Sequence, residues 1–91
     1  MHKSALVYAA GMGHTAITER LIEAGAKIDA AYVDGLTPLM WAAGQGHLET
    51  VKSLLNKGAS TGLKDERGLT ALEVARQNQH DAVLAVLGAA K

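Results

Sequence analysis

The stretch Asp34-Gly35-Leu36-Thr37-Pro38-Leu39-Met40-Trp41-Ala42-Ala43-Gly44-Gln45-Gly46-His47 decides how this chain folds. Asp34-Gly35 is a tight-turn dipeptide whose glycine is free to take positive φ. The Thr37 hydroxyl is able to cap a helix, and Pro38 then takes the first helical position, where its missing N–H costs nothing. Leu39, Ala42 and Ala43 fall at i, i+3 and i+4, which puts apolar groups on one face of a short helix. Gly44 and Gly46 read as the stop of that helix. A second helix is expected from near His47, with Leu48, Val51, Leu54 and Leu55 as its apolar stripe. Gly58 ends it as a left-handed residue just past the last turn.

Working outward, the pattern recurs every 33 residues. His14, His47 and His80 share that spacing, as do Leu6, Leu39 and Leu72, Ala9, Ala42 and Ala75, and Leu21, Leu54 and Leu87. Gly35-Leu36-Thr37 returns as Gly68-Leu69-Thr70, and Gly25-Ala26 as Gly58-Ala59. A unit of two short helices cannot bury its own apolar face, so neighbours must stack on it, and about three units are the minimum for stability. The register divides the chain at residues 1–31, 32–64 and 65–91. Composition agrees with this. Tyr8, Tyr32 and Trp41 are the whole aromatic content, and Ala, Leu, Val, Ile and Met supply the rest of the apolar mass. Small residues of this kind suit thin layers of helices with closely spaced backbones.

The quoted stretch, with Val51, Leu54-Leu55 and Gly58-Ala59 behind it, resembles an ankyrin repeat. The resemblance extends over nearly the whole chain. It implies an all-α solenoid of stacked helix–turn–helix units joined by short β-turn or hairpin connections. It further implies that the turn tips and the ends of the first helices form a concave face that binds other proteins. Carried over by register, the partner-binding positions are Val33, Asp34 and Leu36 in the second unit, and Glu66, Arg67 and Leu69 in the third. At the first-helix ends they are Met12, Gln45, Gln77 and Asn78. Tyr8 and Trp41 share one position on the first helices, with Val74 completing the row, and Trp and Tyr are residue types enriched in binding hot spots.

The chain departs from the family pattern in several places. Where ankyrin repeats carry His after Thr-Pro-Leu, this sequence has Val7, Met40 and Glu73. Pro38 has Ala5 and Ala71 as counterparts, Gln79 replaces the Gly before His80, and Arg76 replaces a small Ala. The outer units are therefore degenerate, as terminal repeats often are.

Other chemistry finds little support. Nine Lys and Arg balance nine Asp and Glu with no basic stripe, so nucleic acid is not an expected partner. No apolar run approaches the roughly 18 residues that span a bilayer, so no membrane partner is expected either. Met1-His2-Lys3 followed by Ser4 to Gly13 faintly resembles a signal peptide, but that stretch fits the repeat register. There are no cysteines, which excludes disulfides and Cys nucleophiles and is compatible with a reducing compartment; the expected location is the cytoplasm.

The three periodic histidines would stand about 10 Å apart in stacked helix layers, too far for one metal ion. Each ring, at the start of a second helix, is instead expected to bond backbone groups of the adjoining turn. The Gly pairs lack the context of a phosphate-cradling loop. Asp29, Asp34, Asp65 and Glu66 lack calcium-loop spacing, and Ser4, Ser53 and Ser60 sit in no nucleophile elbow. The expectation is a non-enzymatic module, with no cofactor and no metal, that binds a protein or peptide through its concave face. One feature favours an alternative. Ala82-Val83-Leu84-Ala85-Val86-Leu87 is free of charge, whereas the end of a soluble solenoid needs a polar outer face. That raises end-to-end self-association, as a homo-oligomer or as a segment of a longer scaffold array.

Overall fold

The computed structural model describes residues 2–89, with side chains from Ala5 onward apart from that of Val33. Six α-helices occur among these residues: α1 (His2–Gly11), α2 (Thr15–Glu23), α3 (Pro38–Gln45), α4 (Leu48–Asn56), α5 (Ala71–Gln77) and α6 (Asp81–Ala89). The Tyr32–Leu36 bridge is a single isolated pairing of β type.

Side-chain caps set two of the first-helix starts. The Met40 N–H donates to Thr37 Oγ1 at 3.3 Å, and the Thr37 N–H donates back to Met40 Sδ at 3.5 Å. In the third unit the Glu73 N–H donates to Thr70 Oγ1, and the Thr70 N–H donates to Glu73 Oε1 at 2.9 Å. These reciprocal bonds satisfy N–H groups that a helix start otherwise leaves open. Met40 and Glu73, two of the three departures from the family's His, thus take over an acceptor's task.

The helix stops only partly follow the sequence reading. α3 runs on through Gly44 and ends at Gly46, whose φ is 77°. Gly44 is helical and serves packing: a Cβ there would stand 3.0 Å from Val74 Cγ1 on the neighbouring helix. Gln79 occupies the register position of Gly46 and holds the same left-handed backbone, with φ 61°.

The helices form two rows. α1, α3 and α5 pack side by side, and so do α2 and α4, then α4 and α6. Within the first row Ala9, Ala10, Ala42, Ala43 and Ala75 are buried, which lets the three backbones approach closely. Leu39, Met40, Val51, Leu54, Val83 and Leu87 fill the space between the rows. Each such aliphatic contributes about 1.5–3 kcal/mol by leaving water. Thr15 Oγ1 and Thr50 Oγ1, 2.6 Å apart, link α2 to α4.

Two tips project between the pairs. The Tyr32 N–H donates to Leu36 O and the Gly35 N–H to Tyr32 O, with Asp34 left-handed at φ 62°. Asp is among the few side chains that tolerate this region. Asp65 and Leu69 repeat the pattern, and the Glu66 N–H donates to Asp34 O at 3.0 Å, tying the two tips together. The histidine contact crosses between units instead of staying in its own turn: His80 Nε2 lies 3.0 Å from Gly44 O in the preceding pair.

Candidate functional site

Along the first-helix row runs an open groove of about 710 Å³, lined by Tyr8, Gly11, Met12, Tyr32, Trp41 and Gln45 among others. Its shape comes from an aromatic set against a glycine. A Cβ on Gly11 would stand 3.1 Å from Trp41 Cε3, so the indole lies directly on the α1 backbone. Trp41 Nε1 is buried and has no hydrogen-bond partner among the described residues. Around it Tyr8 is 68 % exposed, Met12 50 % and Tyr32 41 %. Apolar side chains gathered in the open like this are the usual mark of an interaction surface.

The third unit supplies a polar counterpart. The buried Asp65 carboxylate accepts from the N–H groups of Arg67 and Leu69 through Oδ1, and from Arg67 Nε and Nη2 through Oδ2 at 3.0 and 2.8 Å. Burial pushes this carboxyl up, but the Leu69 N–H and the Arg67 guanidinium and N–H outweigh it, and its pKa lies below the ordinary carboxylate value. The Arg67 guanidinium also donates to Gln77 Oε1 at 3.4 Å, and Asn78 Nδ2 donates to Gly44 O at 2.8 Å.

The positions picked from the sequence therefore divide. Tyr8, Met12, Trp41 and Gln45 come together in the groove. Arg67 and Gln77 form an exposed polar patch; Asn78 is also exposed but its amide is occupied by the Gly44 carbonyl. Asp34 and Glu66 are exposed at the tips. Leu36 is half-buried against the core and Leu69 is half-buried. The side chain of Val33 lies outside the described residues. Tyr32 is a lining residue that the register argument passed over. Its signal was available: it holds the position of Asp65 in the next unit, so an aromatic stands where the third repeat buries an acid.

Leu84 and Val86 of α6 are half-buried against the core, and Ala82 and Ala85 are the exposed part of the uncharged run. The large exposed apolar side chains of the described residues are Tyr8, Met12, Ile17, Tyr32 and Leu63, so they gather toward the first unit.

Among the described residues no three His, Cys, Asp or Glu side chains gather in a way that could hold a metal ion, and no helix is long and apolar enough to cross a membrane. A comparison with curated proteins finds no match. The family model for ankyrin repeats does match, in three copies over residues 6–91. Ankyrin repeats are generally protein–protein interaction modules without catalytic activity. With the paired helices, the 33-residue register and this match spanning nearly all of its length, the chain belongs to the ankyrin-repeat family.

Proposed function

We propose that this domain binds a protein partner by seating an apolar side chain or short apolar segment of it in the groove between α1 and α3. The observation that carries the reading is the cluster of Tyr8, Met12 and Tyr32, exposed around the half-buried Trp41. Removing such a patch from water supplies the driving force, at roughly 25 cal/mol per Å² of apolar area. Gln45, exposed beside the groove, offers amide hydrogen bonds to a partner's backbone. The Arg67–Gln77 patch, with Glu66 and Asp34 at the tips, provides the polar rim that fixes orientation.

The test uses peptides selected by display against the folded domain, with Trp41, the single tryptophan, as the fluorescent reporter. Met12→Lys and Tyr8→Ser should each weaken binding at least tenfold. Leu63→Lys, an exposed apolar position outside the groove lining, should leave it unchanged. Peptides that bind all three variants equally would remove the groove from consideration.

A further inference from the structure

Tyr8, Tyr32 and Trp41 are the whole aromatic content of the chain, and all three line the groove between α1 and α3. Stacking does not require them. One repeat further on, Val74 takes the place of Trp41 and is seated on Gly44 as the indole is seated on Gly11. Asp65 takes the place of Tyr32 and closes its own turn by accepting the N–H groups of Arg67 and Leu69. The third repeat is thus built from an aliphatic side chain and an acid where the second presents two rings.

The lining also sets the polarity of an occupant. None of the described residues around the groove is Asp, Glu, Lys or Arg, so a charged or phosphorylated segment finds no counter-charge there. The polar groups of its exposed lining residues are the Gln45 amide and the hydroxyls of Tyr8 and Tyr32, all able to donate. Trp41 contributes its ring, since its Nε1 is buried.

We infer that the groove receives a proline-rich segment of a partner protein, held in the polyproline II conformation. The partner class rests on the groove being the binding face. A polyproline II chain makes no internal hydrogen bonds, so its carbonyl groups stay open to donors. Proline has no N–H, so such a segment brings acceptors without donors that the groove would leave unpaired. Aromatic-lined grooves are a general seat for this conformation, which is fixed before binding and so loses little entropy on docking. The other common modes lack what they need. Adding a strand requires an open sheet edge, and among the described residues the one β pairing is the isolated Tyr32–Leu36 bridge. An amphipathic helix satisfies its own backbone and brings no free carbonyl row to the Gln45 and tyrosine donors.

The test draws binders from two display libraries of equal length and uncharged composition, one with proline at every third position and one without proline. A groove binder is one that Tyr8→Ser and Met12→Lys weaken, and such binders should come from the proline library. In the tightest of them, replacing the prolines by alanine should weaken binding at least tenfold. Tyr32→Phe keeps the ring and Gln45→Ala keeps the helix while each deletes a donor, so each should weaken binding several-fold at unchanged melting temperature. Groove binders that come equally or mainly from the proline-free library, or that tolerate the loss of their prolines, overturn the inference and leave the groove standing as the binding face. Unchanged affinity of both donor variants does the same. If neither library yields a binder that Tyr8→Ser weakens, the groove and its occupant fall together.

Discussion

The imidazole of His80 is seated on the bare backbone of Gly46: a Cβ added to that glycine would stand 2.7 Å from both Cε1 and Nδ1 of the ring. Gly46 is also left-handed, at φ 77°. Gly46→Ala therefore carries two penalties. The backbone contributes about 1–2 kcal/mol, and displacing His80 from its bond to Gly44 O about 1 kcal/mol more. Gly58 is left-handed too, at φ 95°, with nothing within 4 Å of its would-be Cβ, so Gly58→Ala carries the backbone penalty alone. Urea unfolding of the two variants should separate them by about 1 kcal/mol. Equal losses would mean that the ring moves aside freely.

Gln79 stands where the other two units have glycine, yet its backbone keeps the left-handed conformation. Gln79→Gly should relieve that strain, partly offset by the greater freedom of glycine in the unfolded chain. The expected gain is about 0.5–1 kcal/mol, seen as a higher urea midpoint with unchanged slope. A loss of stability would mean that the Gln79 side chain makes contacts worth more than the strain.

These two glycine positions also mark how far the sequence could be read. Register alone identifies the glycine before His14 and His47 and its replacement by Gln79 before His80, because φ and period are properties of one repeat. What register could not reveal was the use of Gly44 and Gly11 as seats for Val74 and Trp41. Those contacts join side chains about one repeat apart and depend on how closely the helices approach. The groove was partly legible for the same reason. Tyr8, Met12, Trp41 and Gln45 follow from their helical positions, but Tyr32 swings in from a tip whose aim is set by the Asp34 backbone and its bond to Glu66. The uncharged run 82–87 is only partly an open surface, because Leu84 and Val86 are half-buried against the core, a division that charge counting alone does not give.

Asp65 gives the fold a pH dependence with a definite sign. Its pKa in the folded protein is lowered, the Leu69 N–H and Arg67 outweighing burial. The stabilisation is therefore fully present above the unfolded value of about 3.9 and is lost as pH falls through the lower folded value. Asp65→Asn keeps an acceptor for the two N–H groups but has no charge for Arg67. Melting temperatures of the parent and the variant should converge as the solution is acidified below pH of about 4. A gap that stays constant across that range would show that the carboxylate's charge does not contribute.

Leu36 and Met12 both fall at partner-contact positions by register, and their surroundings separate them. Leu36 is half-buried against the core, whereas Met12 is 50 % exposed in the groove. Leu36→Ala should cost about 1–3 kcal/mol of folding stability, and Met12→Ala less than about 0.5 kcal/mol. For binding of a groove-directed peptide the order should reverse, with Met12→Ala the more damaging once both variants are folded. Stability losses of similar size would place Met12 in the core, where it could not serve as a free anchor.

Trp41 combines a packing role with an unsatisfied donor, and two substitutions pull these apart. Trp41→Ala removes the indole from Gly11 and opens a void against α1, so a loss of about 3–5 kcal/mol is expected for a fully packed ring, and somewhat less for one that is only half-buried. Trp41→Phe retains an aromatic face while deleting Nε1–H, which is buried and has no partner among the described residues. An unsatisfied buried N–H costs about 1–3 kcal/mol, and its removal offsets much of the volume lost with the second ring. Trp41→Phe should therefore unfold within about 1 kcal/mol of the parent, far from the alanine variant. If it falls as far as Trp41→Ala, the indole N–H has a partner in solution, and a bridging water at the groove floor is then the structure to look for.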